Sequence, residues 1–578
     1  MRRLALLTLP LALAACTSGE PLVVEQAPPQ RTEVQLLAIN DFHGRLEASG
    51  DFVPVTRADG STFNVPLGGA AYLSGAIKSL RTDKSITVAA GDLIGATPIA
   101  SALFLDEPTI EALNLMGLEY SALGNHEFDK GVEELKRIQD GGCMQFTPLT
   151  PCGLGKPYEG ADFTYLGANV FAPDGTNLFP DAVIHDLGDV QVGIIGLPLS
   201  TVPSLVAPNL VDGLRFGDEA GTVNALVPRL LADGADAIVL LIHQGAYSQR
   251  WDDETCAGIS GPVLDVVERL SDEVDVVVSG HTHNAYTCTL PKGNGGGDRL
   301  LTSAGRYGNA VTDIRLSFDG ETLVSSQATL VLAQGDPLIS RDGKAIIPSN
   351  ELPRYLPDPE MMELVHRTVT AAGPQAGRIV GSLDGTALDD PDDFESPAAN
   401  LIADAQLAAT RSPDRGNADL AFINGGGVRA AIVPASDGSV SFGALFTVQP
   451  FGNTLMTVTL TGAQLKALLE QQFVDADGND EHYHLIPSGN FAFSYDLTRP
   501  AGDRVVAMTL DGEPIDPARD YRVTTNNFVA NGGDGYTLFR EGRDRTGAGN
   551  DVDALVAWIA DGREVPAVGR ITNLTPAD

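Results

Sequence analysis

Five of the chain's nine histidines stand in short polar stretches that directly follow aliphatic runs. His43 lies in NDFHG, His126 in GNHEFD, His243 in LIHQG, and His281 with His283 in SGHTHN. The same punctuation places Asp41 two residues before His43, Asp92 at the end of ITVAAGD, and Asn125 beside His126. His185, His366, His482 and His484 lack this setting. Imidazole, carboxylate and carboxamide donors in this mixture suit first-row divalent cations. Two such cations close together repel unless a shared anion lies between them. One aspartate with imidazole and amide ligands on either side meets that need, and such a pair activates water and clamps phosphoryl oxygens. Taken singly, each residue reads as a turn or cap group, so the chemistry depends on the fold bringing them together.

The preceding runs are short, aliphatic and β-branched: VQLLAIN, ITVAAGD, YSALGN, VQVGIIGLP, AIVLLIHQG and VDVVVSGHTH. They read as buried strands. Helical patterns such as EPTIEALNLMG and AGTVNALVPRLLADG separate several of them, which predicts a layered α/β domain over 32–335. In such a sheet the carboxyl ends of the parallel strands open onto one face, where the polar stretches converge. The Asp-x-His spacing sends its first and third side chains to the same side of an extended segment. Asp129, expected in the first turn of a helix, stands three residues after His126, where a carboxylate would fix the imidazole tautomer and favour its cation. A proline-punctuated connector and a linking helix, PEMMELVHRTVTAAG, fill 336–377, and residues 378–578 form a second mixed α/β domain.

Read in order, D-x-H, GD, GNHE, H and GH-x-H resemble the motif series of calcineurin-type metallophosphoesterases. That resemblance implies an N-terminal α/β/β/α sandwich and two divalent metal ions. It implies Asp41, His43 and His283 at one ion, Asn125, His243 and His281 at the other, and Asp92 as the bridge. His126 would then touch the transferring phosphoryl group. The number of imidazoles favours zinc, manganese, cobalt or iron over magnesium.

In the second half, NGGGVRA holds Arg429 behind glycines, where a backbone can approach a phosphate that the guanidinium grips. QPFGNTL offers Phe451 and Asn453, and NNFVANGGDGYT offers Phe528 and Asp534. The ordinary fate of a phenylalanine is core packing, but these two sit beside Gly/Asn loops. The blocks resemble the carboxy-terminal domain of 5′-nucleotidases, and the resemblance covers nearly all of the chain after residue 32. It implies a smaller α/β substrate-binding domain in which Phe451 and Phe528 stack the base. Asn453 and Asp534 would recognise the nucleoside and Arg429 the phosphate, between domains that move relative to one another. One departure stands out. LDGTALDDPDDFESPAANLIADA contains no arginine where the family has further phosphate-binding arginines, and Arg378 lies upstream. The reading is hydrolysis of nucleoside 5′-phosphates, with UDP-sugars as further candidates. The departure keeps a 2′,3′-cyclic nucleotide 2′-phosphodiesterase/3′-nucleotidase as the alternative, followed by a catalytically silent nucleotide-binding surface protein.

Acidic residues outnumber basic ones 76 to 38, for a net charge of −38. This surface disfavours duplex nucleic acid, so an anionic substrate needs local positive charge. The N-terminus, MRRLALLTLPLALAACTSGE, has two arginines and an apolar run too short to span a bilayer. Leu13-Ala14-Ala15-Cys16 resembles a bacterial lipoprotein signal, which implies lipidation at Cys16, a tether over 17–31, and export to the periplasm-facing side, outer membrane or cell surface. The membrane is then a partner only through the lipid anchor. No oligomeric state is read from the sequence. Export permits disulfides among the remaining Cys143, Cys152, Cys256 and Cys288. Three pairings exist, of which Cys143–Cys152 closes a short loop and leaves Cys256 with Cys288. The spacing lacks the CxxC of a zinc site. DADGNDEHYH (475–484) reads as a polar turn rather than a metal site.

Overall fold

The structure, a computed structural model, describes residues 31–576 apart from 49, 51, 58, 249, 251–255, 294, 296, 341–343, 390–393 and 474–483. The signal segment with Cys16, the tether up to residue 30, and the 475–484 turn up to residue 483 lie outside the described residues.

Each aliphatic run named above forms a strand: Thr32–Ile39, Ser85–Ala89, Tyr120–Ala122, Gln191–Pro198, Ala237–His243 and Val274–Ser279. They belong to two six-stranded sheets. The first runs 322–332, 310–319, 32–39, 85–89, 120–122, 164–166, and the second 285–291, 298–304, 274–279, 237–243, 191–198, 182–186. Strands 32–39, 85–89, 120–122 and 164–166 are parallel, as are 191–198, 237–243, 274–279 and 298–304. Parallel strands are covered on both faces, which is why these runs are mostly apolar; buried exceptions such as Gln35 and Thr87 are hydrogen-bonded.

The period-two alternation of strands sorts the side chains into layers. Val34, Leu36 and Ala38 meet Val239, Leu241, Val276 and Val278 between the sheets. Leu37 and Ile39 face outward under helices Gly69–Leu80 and Glu107–Met116. Ile238, Leu240 and Ile242 do the same on the other sheet under Glu219–Ala232 and Pro262–Arg269. The domain is an α/β/β/α sandwich.

The linking helix Pro359–Ala376 buries Met361 and Leu364 in the first domain's core. Its N-cap, Asp358, accepts from the Glu360 N–H at 3.1 Å and from the side chains of Ser74 and Lys78 on helix 69–80. The second domain is built on a five-stranded sheet ordered 485–487, 420–424, 520–526, 454–461, 543–550. Ile423 packs on one face with helices 397–410 and 551–559. Leu420 and Phe422 pack on the other with helix 462–470. No helix among the described residues is long and apolar enough to cross a membrane.

One local expectation is corrected. Asp129 does not open an α-helix: His126–Phe128 form a single 3₁₀ turn that Asp129 closes, and the helix begins at Val132. Gly131, at φ 85°, turns the chain between them.

Candidate metal centre and substrate cleft

The polar stretches after strands 32–39, 85–89, 120–122, 237–243 and 274–279 meet at the edge shared by the two sheets. Donor atoms of Asp41, His43 and His283 lie within 4.8 Å of one another, as do those of Asp92, His243 and His281. His283 Nε2 is 3.4 Å from Asp41 Oδ1 and 3.1 Å from His43 Nε2. Asp92 Oδ2 stands between the groups, 3.8 Å from His43 Nε2 and 2.9 Å from His243 Nε2. Asn125 Oδ1 is 3.2 Å from His243 Nε2. All seven sequence-predicted ligands are thus in one cluster, and Asp41, His43, Asp92, Asn125 and His243 are buried.

The backbone is bent to achieve this. Asp41, His43, Asp92, His281 and His283 all have φ between 47° and 72°, a region costing a non-glycine residue about 1–3 kcal/mol. The glycines before the ligands permit close approach. A Cβ at Gly124 would fall 2.1 Å from Asp92 Oδ1, and one at Gly280 would fall 2.9 Å from Asp41 Oδ2.

Hydrogen bonding shows that cations fit. His43 Nδ1 lies 2.8 Å from the Gly95 carbonyl and His243 Nδ1 2.8 Å from the Ala90 carbonyl. A carbonyl only accepts, so both Nδ1 atoms donate and each neutral ring is left with an Nε2 lone pair. Those lone pairs face oxygens of Asp92 and Asn125, an arrangement that requires a cation or an extra proton between them. Burial pushes His281 down to about 3, and His43 and His283 below their ordinary value, keeping these rings neutral as ligands must be. His243 is driven up to about 9: burial opposes its charge, but Asp92 at hydrogen-bonding distance prevails.

His126 is held differently. Its backbone N–H donates to Asp92 Oδ1 at 2.9 Å, and its ring Nδ1 contacts Asp129 Oδ2 at 2.8 Å. Burial opposes its charged form, but Asp129 and then Asp92 raise it above the ordinary histidine value. Two supporting residues were not singled out in the sequence. Buried Glu127 accepts from the N–H groups of Asp92 (3.0 Å), Leu93 (2.8 Å) and Gly124 (2.6 Å), pinning the two ligand loops together. Asn40 donates to Asp41 Oδ2 at 2.6 Å and to the Gly305 carbonyl at 2.7 Å. The only signal was their place inside the motifs.

A cleft of ≈ 680 Å³ joins this cluster to the second domain. Asn125, His126, Asp129 and His281 line one part; Arg429, Phe451, Asn453, Phe528 and Asp534 line another. The Phe451 ring stacks on His126 with centroids 5.8 Å apart, and Arg429 Cζ lies 5.9 Å from the same ring. Asp534, at φ 51°, accepts from Asn424 Nδ2 at 2.6 Å, and Asn424 Oδ1 accepts from Asn526 at 2.9 Å. Burial raises the Asp534 carboxyl to about 6 against the pull of Asn424 and Arg429. The Phe528 ring covers Gly533, where a Cβ would fall 2.4 Å from it. The Asn453 carbonyl accepts from the Asp551 N–H at 2.8 Å.

Arg378 stacks on Phe442 at 4.9 Å and is not part of the cleft lining. Arg429 does line the cleft, and two further arginines stand beside the donor cluster without lining it. Tyr307, whose N–H donates to the Asp41 carbonyl at 2.7 Å, sets its ring edge-on to His43 and His283. Arg45 and Arg306 lie over that ring at 4.2 and 4.9 Å. Burial would raise the Tyr307 phenol, but Arg429, Arg45 and Arg306 bring it below its ordinary value. The cysteines pair as Cys143–Cys152 and Cys256–Cys288.

Comparison with known proteins agrees with this architecture. The family models described as "Calcineurin-like phosphoesterase" and "5'-nucleotidase, C-terminal domain" match residues 34–285 and 377–541. The "Cell wall protein Lmo0130" of Listeria monocytogenes is 30% identical over 565 residues, covering 93% of this chain and 68% of that protein. A "5'-nucleotidase" of Diplobatis ommata is 26% identical over 579 residues, covering 93% of this chain and 89% of that one. The crystal structure of a 5'-nucleotidase precursor from Thermus thermophilus aligns with a TM-score of 0.72 at 26% identity, covering 94% of this chain and 99% of the other. A two-sheet phosphoesterase domain with its donor cluster, joined by one cleft to a nucleotidase-type second domain, makes this chain a metallophosphoesterase of the 5′-nucleotidase family.

Proposed function

We propose that the protein hydrolyses nucleoside 5′-phosphates to nucleoside and inorganic phosphate outside the cytoplasm, with UDP-sugars as further substrates. The observation that carries this reading is the shared cleft, in which His126 and the donor cluster open onto Arg429, Phe451, Phe528 and Asp534. Asp41, His43 and His283 would hold one divalent ion, Asn125, His243 and His281 the other, and Asp92 would bridge them. Such a pair lowers the pKa of water and polarises the phosphoryl oxygens, and the imidazole-rich set suits zinc, manganese, cobalt or iron. Cationic His126, held by Asp129, donates to the phosphoryl group as its charge develops. Arg429 grips the same group from the second domain. Phe451 and Phe528 stack the base, and Asn453 and Asp534 accept from or donate to the nucleoside.

Arg45 and Arg306, flanking Tyr307 beside His43 and His283, add positive charge beside the donor cluster but do not line the cleft, so direct grip on the phosphate falls to Arg429. The N-terminal resemblance to a lipoprotein signal, and the likeness to a cell wall protein, support an exported, lipid-anchored form. The absent arginines favour one second reading, the 2′,3′-cyclic nucleotide 2′-phosphodiesterase/3′-nucleotidase. Phosphate release from AMP, UDP-glucose, 3′-AMP and 2′,3′-cyclic AMP, run in parallel, separates the two. Preference for AMP supports the proposal; preference for the cyclic and 3′ esters replaces it with the second reading.

A further inference from the structure

Three segments of the first domain reach the substrate cleft without belonging to the metal cluster, and one of them is unusual in composition. The loop closed by the Cys143–Cys152 disulfide, CMQFTPLTPC, contributes Phe146, Thr147, Pro148 and Leu149 to the cleft lining. Its apolar side chains face out: Met144 is 67% exposed, and Phe146 and Leu149 are each 41% exposed. In a chain of net charge −38, apolar groups gathered at a cleft mouth mark a surface that a ligand covers.

The feet of this loop are fixed. Arg137, buried against Glu107 (2.8 Å) and Glu134 (2.7 Å), donates to the Gly142 carbonyl at 3.0 Å. Glu107 accepts from the Cys152 N–H at 2.9 Å, and the Gly142 N–H donates to the Tyr158 carbonyl at 2.8 Å. A buried ion-pair network and a covalent bond therefore hold a tip whose apolar side chains remain partly exposed. Leu205, Val206 and Leu210 extend the same apolar lining, and the helix that contains Leu205 abuts the 533–535 turn bearing Asp534. The apolar side thus adjoins the end of the cleft assigned above to the nucleoside.

We propose that the disulfide-closed loop 143–152 is a specificity element that packs Phe146, Pro148 and Leu149 against the base and sugar of a bound nucleotide from the first-domain side. This rests on the nucleotidase reading and adds to it a contact made by neither the metal cluster nor the second domain. Because the tip contacts the leaving nucleoside rather than the reacting phosphorus, it acts on affinity and substrate discrimination.

The test is calorimetric binding of adenosine and of uridine to the intact protein, comparing wild type with a Phe146→Ala/Leu149→Ala variant. Both side chains are surface groups, so the variant is expected to fold, which an unchanged Tm verifies. The Kd of at least one nucleoside should rise about tenfold, the loss expected for one aromatic and one aliphatic contact. The ratio of kcat/KM for AMP to that for glycerol 3-phosphate should fall in parallel. A second variant, Cys143→Ser/Cys152→Ser, frees the tip without removing it and should weaken nucleoside binding by a smaller factor. Wild-type Kd values in the Ala variant, or a wild-type protein that binds neither nucleoside, would overturn the loop's role. The nucleotidase reading itself fails on a different result, absence of phosphate release from AMP.

Discussion

Asp92 is the residue on which the centre turns. One oxygen accepts the His126 N–H and the other lies 2.9 Å from His243; burial opposes its charge, yet His243, His126 and His43 hold its carboxyl well below the usual range. The donor cluster was legible in the sequence because histidine, aspartate and asparagine directly after buried strands have few other uses. Glu127 was not, because its work is done on backbone N–H groups, two of them more than 30 positions away, which no spacing records. Glu127→Gln replaces an acceptor with a donor at one oxygen. It should weaken metal binding about 10–100-fold, with activity recovered by added metal; a metal titration of activity reads this directly. Asp534 gives the pH dependence. With its carboxyl raised to about 6 by burial, it is ionised at neutral pH, where the proposed role has it accept from the nucleoside. As pH falls through 6 it protonates, so KM for AMP should rise while kcat changes less. Asp534→Asn should start with a raised KM and lose that acidic limb, as KM measured from pH 5 to 8 would show.

Among the elements, the strands were legible because parallel strands covered on both faces are mostly apolar, and the ends of those runs located the loops. The turn at His126–Phe128 was not. A helix start and a 3₁₀ turn share the same polar spacing, and the positive φ of Gly131 decides between them. The motif glycines have a steric task that the pattern alone does not reveal. Gly124 passes so close to Asp92 that Gly124→Ala would drive a methyl group to 2.1 Å from a carboxylate oxygen. If Asp92 bridges two ions as proposed, this variant should lose metal affinity by at least about tenfold while keeping its overall fold. Metal content after dialysis, together with far-UV circular dichroism, checks both parts.

Over the whole molecule, the two domains meet at one cleft lined by residues of both. The second domain brings Arg429 and Phe451 to a histidine of the first, and Arg429 acts electrostatically on His43, His126 and His283. Arg429→Ala should lower kcat/KM for AMP about 10–100-fold, the loss of a charge-assisted contact. Lysine should restore little of it, because it lacks the planar fork. Steady-state kinetics of both variants decides this. The sequence named Arg429, Phe451, Phe528 and Asp534 because they sit in glycine-rich loops where core packing is a poor explanation. It held no sign that Arg45 and Arg306, far apart along the chain, meet over the Tyr307 ring beside the donor cluster. The apolar loop 143–152 was visible as a disulfide excursion, but its approach to the cleft comes from tertiary packing.

The most direct measurement is phosphate release from AMP by the full chain, before and after chelation and after re-addition of Mn²⁺ or Zn²⁺, with Asp92→Asn in parallel. Chelation should abolish release and metal restore it, and the variant should release little under any condition. A wild-type protein that carries metal yet leaves AMP intact, or an Asp92→Asn variant as active as wild type, would contradict the proposed function.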